Sequence, residues 1–250
     1  MARSGSSEVA ARRRGTVSVV VPCFNEEATV PLLVDALAEM ASGFGPGREV
    51  EILFVDDGSS DGTLDALRKV APELNGRVLS HERNRGISEA FRTGFRAATG
   101  DVVCTIDADC TFDPRELVPM VAELESTGAD VVAASPYHPR GGVEGVPVWR
   151  LALSRTASRI YGWILPVKLH SYTACFRAFR RPVVEAMRFE DPGFLGVTEM
   201  LASAIRQGFQ VVERPMVLRR RTTGVSKMRT LRVVRDHLRF MFALLRERSR

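Results

Sequence analysis

The apolar positions change their period along the chain. Val17 to Val21 is an unbroken β-branched run, as in a strand buried on both faces, and Glu26 to Met40 then carries Val30, Leu33, Val34, Leu37 and Met40 at helical spacing. The same alternation recurs. Glu51 to Asp56 predicts a strand, Leu64, Leu67 and Val70 a helix, Arg77 to Ser80 a short strand and Ser88 to Thr99 a helix. Asp101 to Ile106 predicts another buried strand, Pro114 to Ser126 a helix with proline in its first turn, and Asp130 to Ala134 a further strand. Strands that alternate with helices predict a mostly parallel sheet with helices on both faces.

Beyond Pro136 the alternation stops. Residues 135–148 read as a Gly/Pro-rich loop, and Trp149, Leu153, Ala157, Ile160 and Ile164 form one helical stripe with Arg155 and Arg159 off it. Cys175 to Phe179 is strand-like, Thr198 to Ile205 helical, and Gln210 to Leu218 a last strand. Thr230 to Arg246 is an amphipathic helix. Leu231, Val234, Leu238, Met241, Phe242 and Leu245 lie on one face, and Arg232, Arg235, Arg239 and Arg246 on the other. Such a helix either docks on the domain or lies in a membrane interface. We therefore expect a disordered basic leader over 1–15, a globular α/β domain over 16–228 and a basic amphipathic helix over 229–250.

Composition supports a sizeable core, with 45% hydrophobic and 26% charged residues in 250. The net charge of +5 suggests polyanionic partners in general. Its distribution is more informative. Residues 216–250 carry 11 basic and 2 acidic residues, net +9, and the remaining 24 basic and 28 acidic residues leave 1–215 at −4. Cys23, Cys104, Cys110 and Cys175 contain no CxxC pair and no apolar signal segment precedes them, which suggests a reducing cytosol and cysteines used as small core residues. His81, His138, His170 and His237 lack metal-ligand spacing. No run approaches the roughly 18 apolar residues of a membrane span.

In an open α/β sheet ligands bind beyond the carboxyl ends of the strands. Three of these ends are acidic here: Glu26-Glu27 after the first strand, Asp56-Asp57 and Asp61 after the second, and Asp107-Ala108-Asp109 after the strand ending at Ile106. Converging carboxylates suit a hard divalent cation, Mg²⁺ or Mn²⁺, that in turn holds a diphosphate. Asp56, Asp57 and Asp61 can equally serve the turn or cap the next helix.

The ordered segments VVVPCFNEE, EILFVDDGSSDGT, NRGISEAFRTGF, GDVVCTIDADCTFDP, SYTACFRAFRR and RRRTTGVSK resemble the inverting glycosyltransferases of GT-A fold, over about residues 16–230. Among these they are most similar to polyprenyl-phosphate glycosyltransferases of the dolichol-phosphate mannose synthase type. The resemblance implies transfer of a hexose, mannose first, from a nucleotide sugar (GDP-mannose or a UDP-sugar) to a polyprenyl phosphate, with Mg²⁺ or Mn²⁺. By family position Pro22, Phe24, Glu26, Val55 and Asp57 line the base and ribose pocket, and Asp107, Ala108 and Asp109 hold ribose and metal. Arg221, Ser226 and Lys227 meet the diphosphate or the acceptor phosphate. Arg177 falls at the family's Phe-Arg element. Three positions depart from the pattern: Phe24 replaces a tyrosine, Thr111 a glutamine, and Pro136 an arginine near the acceptor, whose task passes to His138, Arg140 or Arg150.

A phosphate monoester, with a second pKa of about 6, is already a nucleophile at neutral pH and needs positioning cations rather than a base. Were Glu199 or Asp191 a base, the acceptor would be a hydroxyl of a glycan or glycolipid, although Glu199 also suits a helix N-terminus. A rival of another class is a non-catalytic nucleotide-binding module with a basic tail. That tail holds only Phe240 and Phe242 as aromatics, too few for nucleic-acid stacking, so no nucleic-acid partner is expected. The expected location is cytoplasmic, peripheral on the inner face of an anionic membrane, alone or with a separate membrane subunit.

Overall fold

The computed structural model describes residues 14–221 and 230–248. The strands and helices follow in the order β1 (Arg14–Cys23), α1 (Val30–Gly43), β2 (Arg48–Asp56), α2 (Thr63–Val70), β3 (Gly76–Ser80), α3 (Ile87–Ala97), β4 (Val102–Thr105), α4 (Leu117–Thr127) and β5 (Val131–Ser135). Then come β6 (Gly142–Glu144), α5 (Val148–Ile164), β7 (Arg177–Arg180), α6 (Arg181–Ala186), α7 (Phe194–Arg206), β8 (Val211–Pro215), β9 (Val217–Arg219) and α8 (Thr230–Arg248). The main sheet has the order β3-β2-β1-β4-β7-β5-β8, and only β7 runs antiparallel, to both β4 and β5. The expected mostly parallel α/β architecture is therefore present.

Strand periodicity sorts the core into two layers. Val19, Val21, Ile52 and Phe54 face Leu33, Leu37, Met40 and Met120 of α1 and α4. Val20, Leu53, Val55 and Val103 face Phe91 of α3 and Met200 of α7. Each such buried side chain contributes about 1.5–3 kcal/mol. A third cluster, with Tyr161, Tyr172, Phe179, Leu201, Met241 and Leu244, seats α5 and α8 against α7 and the β5 end of the sheet.

Several boundaries shift for local reasons. α1 begins at Val30 because Glu26–Thr29 form a turn (Thr29 N to Glu26 O, 2.8 Å) while the Glu26 N–H donates to Thr63 Oγ1 at 2.7 Å. The expected strand 210–218 divides. Pro215 closes the β8 register opposite Ser135 and cannot extend the ladder without an N–H, so β9 turns away and pairs with β6 inside the expected 135–148 loop.

The two amphipathic stripes also resolve differently from the expectation. α5 buries Ser158, Tyr161 and Ile164, while Trp149 and Leu153 are exposed. α8 packs on α5 and α7 through His237, Met241 and Leu244, and leaves Leu231, Leu238 and Phe242 in solvent. The apolar surface of α8 is wider than the face it docks. Among the described residues no helix is long and apolar enough to cross a membrane.

Candidate active site

The carboxyl ends of β1, β2 and β4 open into a cleft of about 1160 Å³. Its floor is assembled by loops bonded to one another. Asn25 accepts the Ser60 N–H at 2.7 Å, its own N–H donates to Ser59 Oγ at 2.9 Å, and Glu27 accepts the Gly62 N–H at 3.0 Å. Gly58 is required where these loops meet the next. Its φ is +70°, and a Cβ there would lie 2.3 Å from the Arg83 carbonyl carbon.

Asp57 organises the far wall. Its Oδ1 lies 2.7 Å from His81 Nδ1 and accepts the Arg85 N–H at 2.9 Å. Its Oδ2 accepts Asn84 Nδ2 at 3.0 Å and the Gly86 N–H at 2.8 Å. His81 Nε2 is held in turn, 2.8 Å from Thr93 Oγ1. The carboxylate is thus saturated, and its contribution is to present Asn84, Arg85, Gly86 and Ile87 to the cleft, which they line. Gly86, at φ +103°, passes so close to the 190–194 loop that a Cβ would meet Pro192 O at 2.3 Å.

Asp107 and Asp109 stand at the end of β4. Burial pushes Asp107 up to about 7, and the Asp109 charge beside it adds to the rise, against a thiol hydrogen bond from Cys175 and the Arg221 charge. Asp109 Oδ1 accepts the Thr111 N–H at 3.1 Å. Crowded negative charge made of hard oxygens is the donor chemistry of Mg²⁺ or Mn²⁺. Among the described residues no group of three or more His, Cys, Asp or Glu could enclose a metal. Two carboxylates with the remaining positions left to substrate phosphates is the usual arrangement for Mg²⁺.

Cations face these carboxylates from β9. The Arg219 N–H donates to Thr111 O at 2.8 Å, which ties β9 to the Asp107–Asp109 loop. Arg221 follows, ion-paired to Glu26 through Nη2 and with Nη1 3.9 Å from Asp109 Oδ2. Arg150 at the start of α5 lines the same cleft, and its Nε is buried without a hydrogen-bond partner.

Pro22, Phe24, Glu26, Asp57, Asp107, Ala108, Asp109, Arg150 and Arg221 therefore meet in one cleft. Three expected residues do not. Val55 is fully buried in the layer under α3, where its side chain packs in the core with Leu53, Ala90 and Phe91. Arg177 is 1% exposed, donating Nη1 to Val197 O and Nη2 at 2.8 Å to Tyr172 O. It braces the chain behind Asp107 and touches no acceptor site. Arg140 is exposed on the turn closed by the Gly141 N–H to His138 O bond, outside the cleft lining. Of the three substitutes for the missing arginine at Pro136, only Arg150 is on the cleft. Ser226 and Lys227 lie outside the described residues.

Glu199 is neither a cap nor a cleft residue. Its Oε2 accepts the N–H groups of Glu190 and Asp191 at 2.7 and 2.9 Å and so braces the loop that brings Asp191 and Phe194 to the cleft. Burial raises all four thiols, which leaves them as core groups rather than nucleophiles. Sequence reasoning assigned no role to the Asn84–Ile87 wall, although Asn84-Arg85-Gly86 between the end of β3 and the start of α3 was a usable signal. It also missed Trp149 and Phe194 as cleft residues, for which the stripe pattern gave none.

Residues 18–188 match Glycosyl transferase family 2. The chain is 32% identical over 234 residues to the polyprenol monophosphomannose synthase of Mycolicibacterium smegmatis, covering 90% of this chain and 85% of that protein. It is 31% identical over 233 residues to the dodecaprenyl-phosphate galacturonate synthase of Rhizobium johnstonii, covering 90% of this chain and 66% of the relative. Among solved structures it shares its fold with glucosyl-3-phosphoglycerate synthase of Mycobacterium tuberculosis in complex with Mn²⁺, UDP and phosphoglyceric acid. There the TM-score is 0.66 at 23% identity, over 94% of this chain and 78% of that one. With more than half of its length matched and carboxylates and arginines gathered at the strand ends, the chain belongs to glycosyl transferase family 2.

Proposed function

We propose that the protein transfers a hexose, mannose in the first instance, from a nucleoside diphosphate sugar to a polyprenyl phosphate with inversion at the anomeric carbon. One observation carries this reading: the paired carboxylates Asp107 and Asp109 line a single cleft with Arg150, Arg219 and Arg221, and Arg221 Nη1 lies 3.9 Å from Asp109 Oδ2. A relative named for polyprenol monophosphomannose synthesis supports the acceptor class, and one named for galacturonate transfer makes the sugar the point to test.

Asp107 and Asp109 would hold Mg²⁺ or Mn²⁺, which supplies charge stabilisation to the departing diphosphate. The protein's own groups do the rest. Pro22, Phe24 and the Asn84–Ile87 wall enclose the nucleoside. Arg150 and the Arg219–Arg221 run position the acceptor phosphate, already ionised, so that one of its oxygens attacks the anomeric carbon in line. The new O–C bond forms as the bond to the diphosphate oxygen breaks, and the electron pair leaves with the diphosphate. No proton moves. Arg221, drawn toward Glu26 and Asp109 in this structure, is placed to take up negative charge as it develops.

The membrane surface follows from the same reading. Val148 (80% exposed), Trp163 (69%), Leu231 (88%), Leu238 (57%) and Phe242 (57%) are on α5 and α8, interleaved with Arg155, Arg159, Arg232, Arg235 and Arg239. Apolar side chains ringed by arginine suit the cytoplasmic face of an anionic bilayer. The experiment is a matrix of nucleotide sugars against polyprenyl phosphates with Mg²⁺, Mn²⁺ or chelator. Metal-dependent formation of an acid-labile lipid phosphate sugar supports the proposal. Transfer only to sugar hydroxyls would overturn it and make Asp191, a carboxylate on the cleft outside the Asp107–Asp109 pair, the base to examine.

A further inference from the structure

Asp57 and Asp107 stand at two strand ends of the same cleft and are held in opposite ways. Asp57 is saturated by four donors, which commits its lone pairs to the loops around it. Among the described residues Asp107 has one side-chain donor, the Cys175 thiol.

That contact is built into the sheet. β4 and β7 pair antiparallel, with Cys104 opposite Ala178 and Thr105 opposite Arg177, and the same register continued past the last pair sets Cys175 opposite Asp107. Residues opposite each other in an antiparallel pair point to one face. Both chains are still tied at this level. The Ile106 N–H donates to Val20 O at 3.2 Å, Thr105 Oγ1 donates to Cys175 O, and the Ala134 N–H donates to Phe176 O at 3.0 Å. Arg177 Nη2 donates to Tyr172 O at 2.8 Å and closes the 172–177 segment on itself. The thiol thus meets the carboxylate from a fixed backbone. Cys175 is 6% exposed, and burial raises its pKa, so it keeps the proton that it donates.

A thiol suits this task better than a stronger donor. S–H takes little charge from the carboxylate, so Asp107 is fixed in direction and keeps its lone pairs for a cation. Outer partners of this kind orient a metal ligand and set much of the affinity. We propose that Cys175 is a positioning residue, whose thiol holds the Asp107 carboxylate in the direction from which it takes the metal. The assignment rests on the proposed metal-dependent transfer and adds to it that metal affinity depends on a side chain that does not ligate the metal.

The test compares Cys175→Ala, Cys175→Ser and Cys104→Ala in the full chain. Cys104 is a fully buried thiol of the same strand pair without a bond to Asp107, so its variant controls for lost core volume. Mn²⁺ affinity is read by electron paramagnetic resonance titration with GDP or UDP and no acceptor, so that turnover plays no part. Cys175→Ala should weaken it about tenfold, and Cys175→Ser, which keeps a donor, by no more than about threefold. Cys104→Ala should leave it unchanged. In transfer assays Cys175→Ala should raise the KM for Mn²⁺ more than it lowers kcat at saturating Mn²⁺. In the unaltered protein the S–H stretching band of Cys175, assigned by its absence in Cys175→Ser, should shift when Mn²⁺ and nucleotide bind, because the cation draws charge from the accepting oxygen. Unchanged Mn²⁺ affinity in Cys175→Ala, an equal loss in Cys175→Ser or Cys104→Ala, or a band that does not move overturns the positioning role. Unchanged Mn²⁺ affinity in Asp109→Ala overturns the metal reading instead.

Discussion

Replacing Asp57 separates a residue that touches the nucleotide from one that builds the wall around it. Its carboxylate serves four donors at 2.7–3.0 Å: the His81 ring, the Asn84 amide and the N–H groups of Arg85 and Gly86. Both side chains of this contact are buried, Asp57 3% exposed and His81 6%. A hydrogen bond to a charged group is worth about 1.5–3 kcal/mol when its loss leaves the donor unsatisfied. Cleft water can reach the Asn84 and Arg85 groups after substitution, so about half of the four-bond total persists as a loss, roughly 3–6 kcal/mol for Asp57→Ala. With a urea m-value of about 2–3 kcal/mol/M the unfolding midpoint should fall by about 1–3 M. Asp57→Asn can keep one oxygen for His81 and Arg85 while turning its amide against Asn84 and Gly86, so about half of that fall is expected. Nucleotide affinity should drop in both variants, because the 84–87 wall loosens. A midpoint within about 0.3 M of the unaltered protein, with weakened nucleotide binding, would refute the wall-building role and make Asp57 a direct ligand.

Asp109→Ala should reduce metal-dependent transfer by at least about a hundredfold while the melting temperature moves only a few degrees, checked by product formation and calorimetry. Gly86→Ala forces a Cβ to 2.3 Å from Pro192 O at φ +103°, and should cost about 2 kcal/mol or more and displace the 190–194 loop, read by denaturation and nucleotide titration. Arg177→Met removes two bonds to buried carbonyl oxygens and should destabilise the fold by about 3 kcal/mol, and in refolded protein it should leave the acceptor KM unmoved. His237 sits against the Tyr161 hydroxyl at 2.8 Å, with Asp191 and Asp236 near, and burial lowers its pKa despite those charges. The folded protein therefore binds this proton less readily than the unfolded chain. The α8 contact is fully stable above about pH 6.5 and weakens as pH falls below it, which hydrogen exchange of α8 should show and His237→Phe should abolish.

The sequence was most legible where one constraint dominated. Short apolar runs rich in β-branched residues and bounded by turn residues suit strands buried on both faces, so β1, β2, β4 and β5 were readable, and the acidic residues that follow β1, β2 and β4 pointed to the cleft by their order in the chain alone. What hid the rest was partner choice. Asp57 reads as a ligand, yet the loop that it saturates with hydrogen bonds is brought to it by β3 and α3, some 25 residues on. Arg177 reads as an anion site because arginine usually is one, and it becomes a strut because β7 inserts antiparallel between β4 and β5, a placement that no local pattern encodes. In α8 the ambiguity is geometric. Apolar residues spread around more than half of the helix, so periodicity cannot say which of them the domain takes. The docked face is chosen by a polar contact, His237 to Tyr161, that a hydrophobic stripe excludes by definition. Once His237, Met241 and Leu244 are inside, Leu231, Leu238 and Phe242 are outside by helical geometry alone. The surplus apolar surface is thus a consequence of how α8 docks.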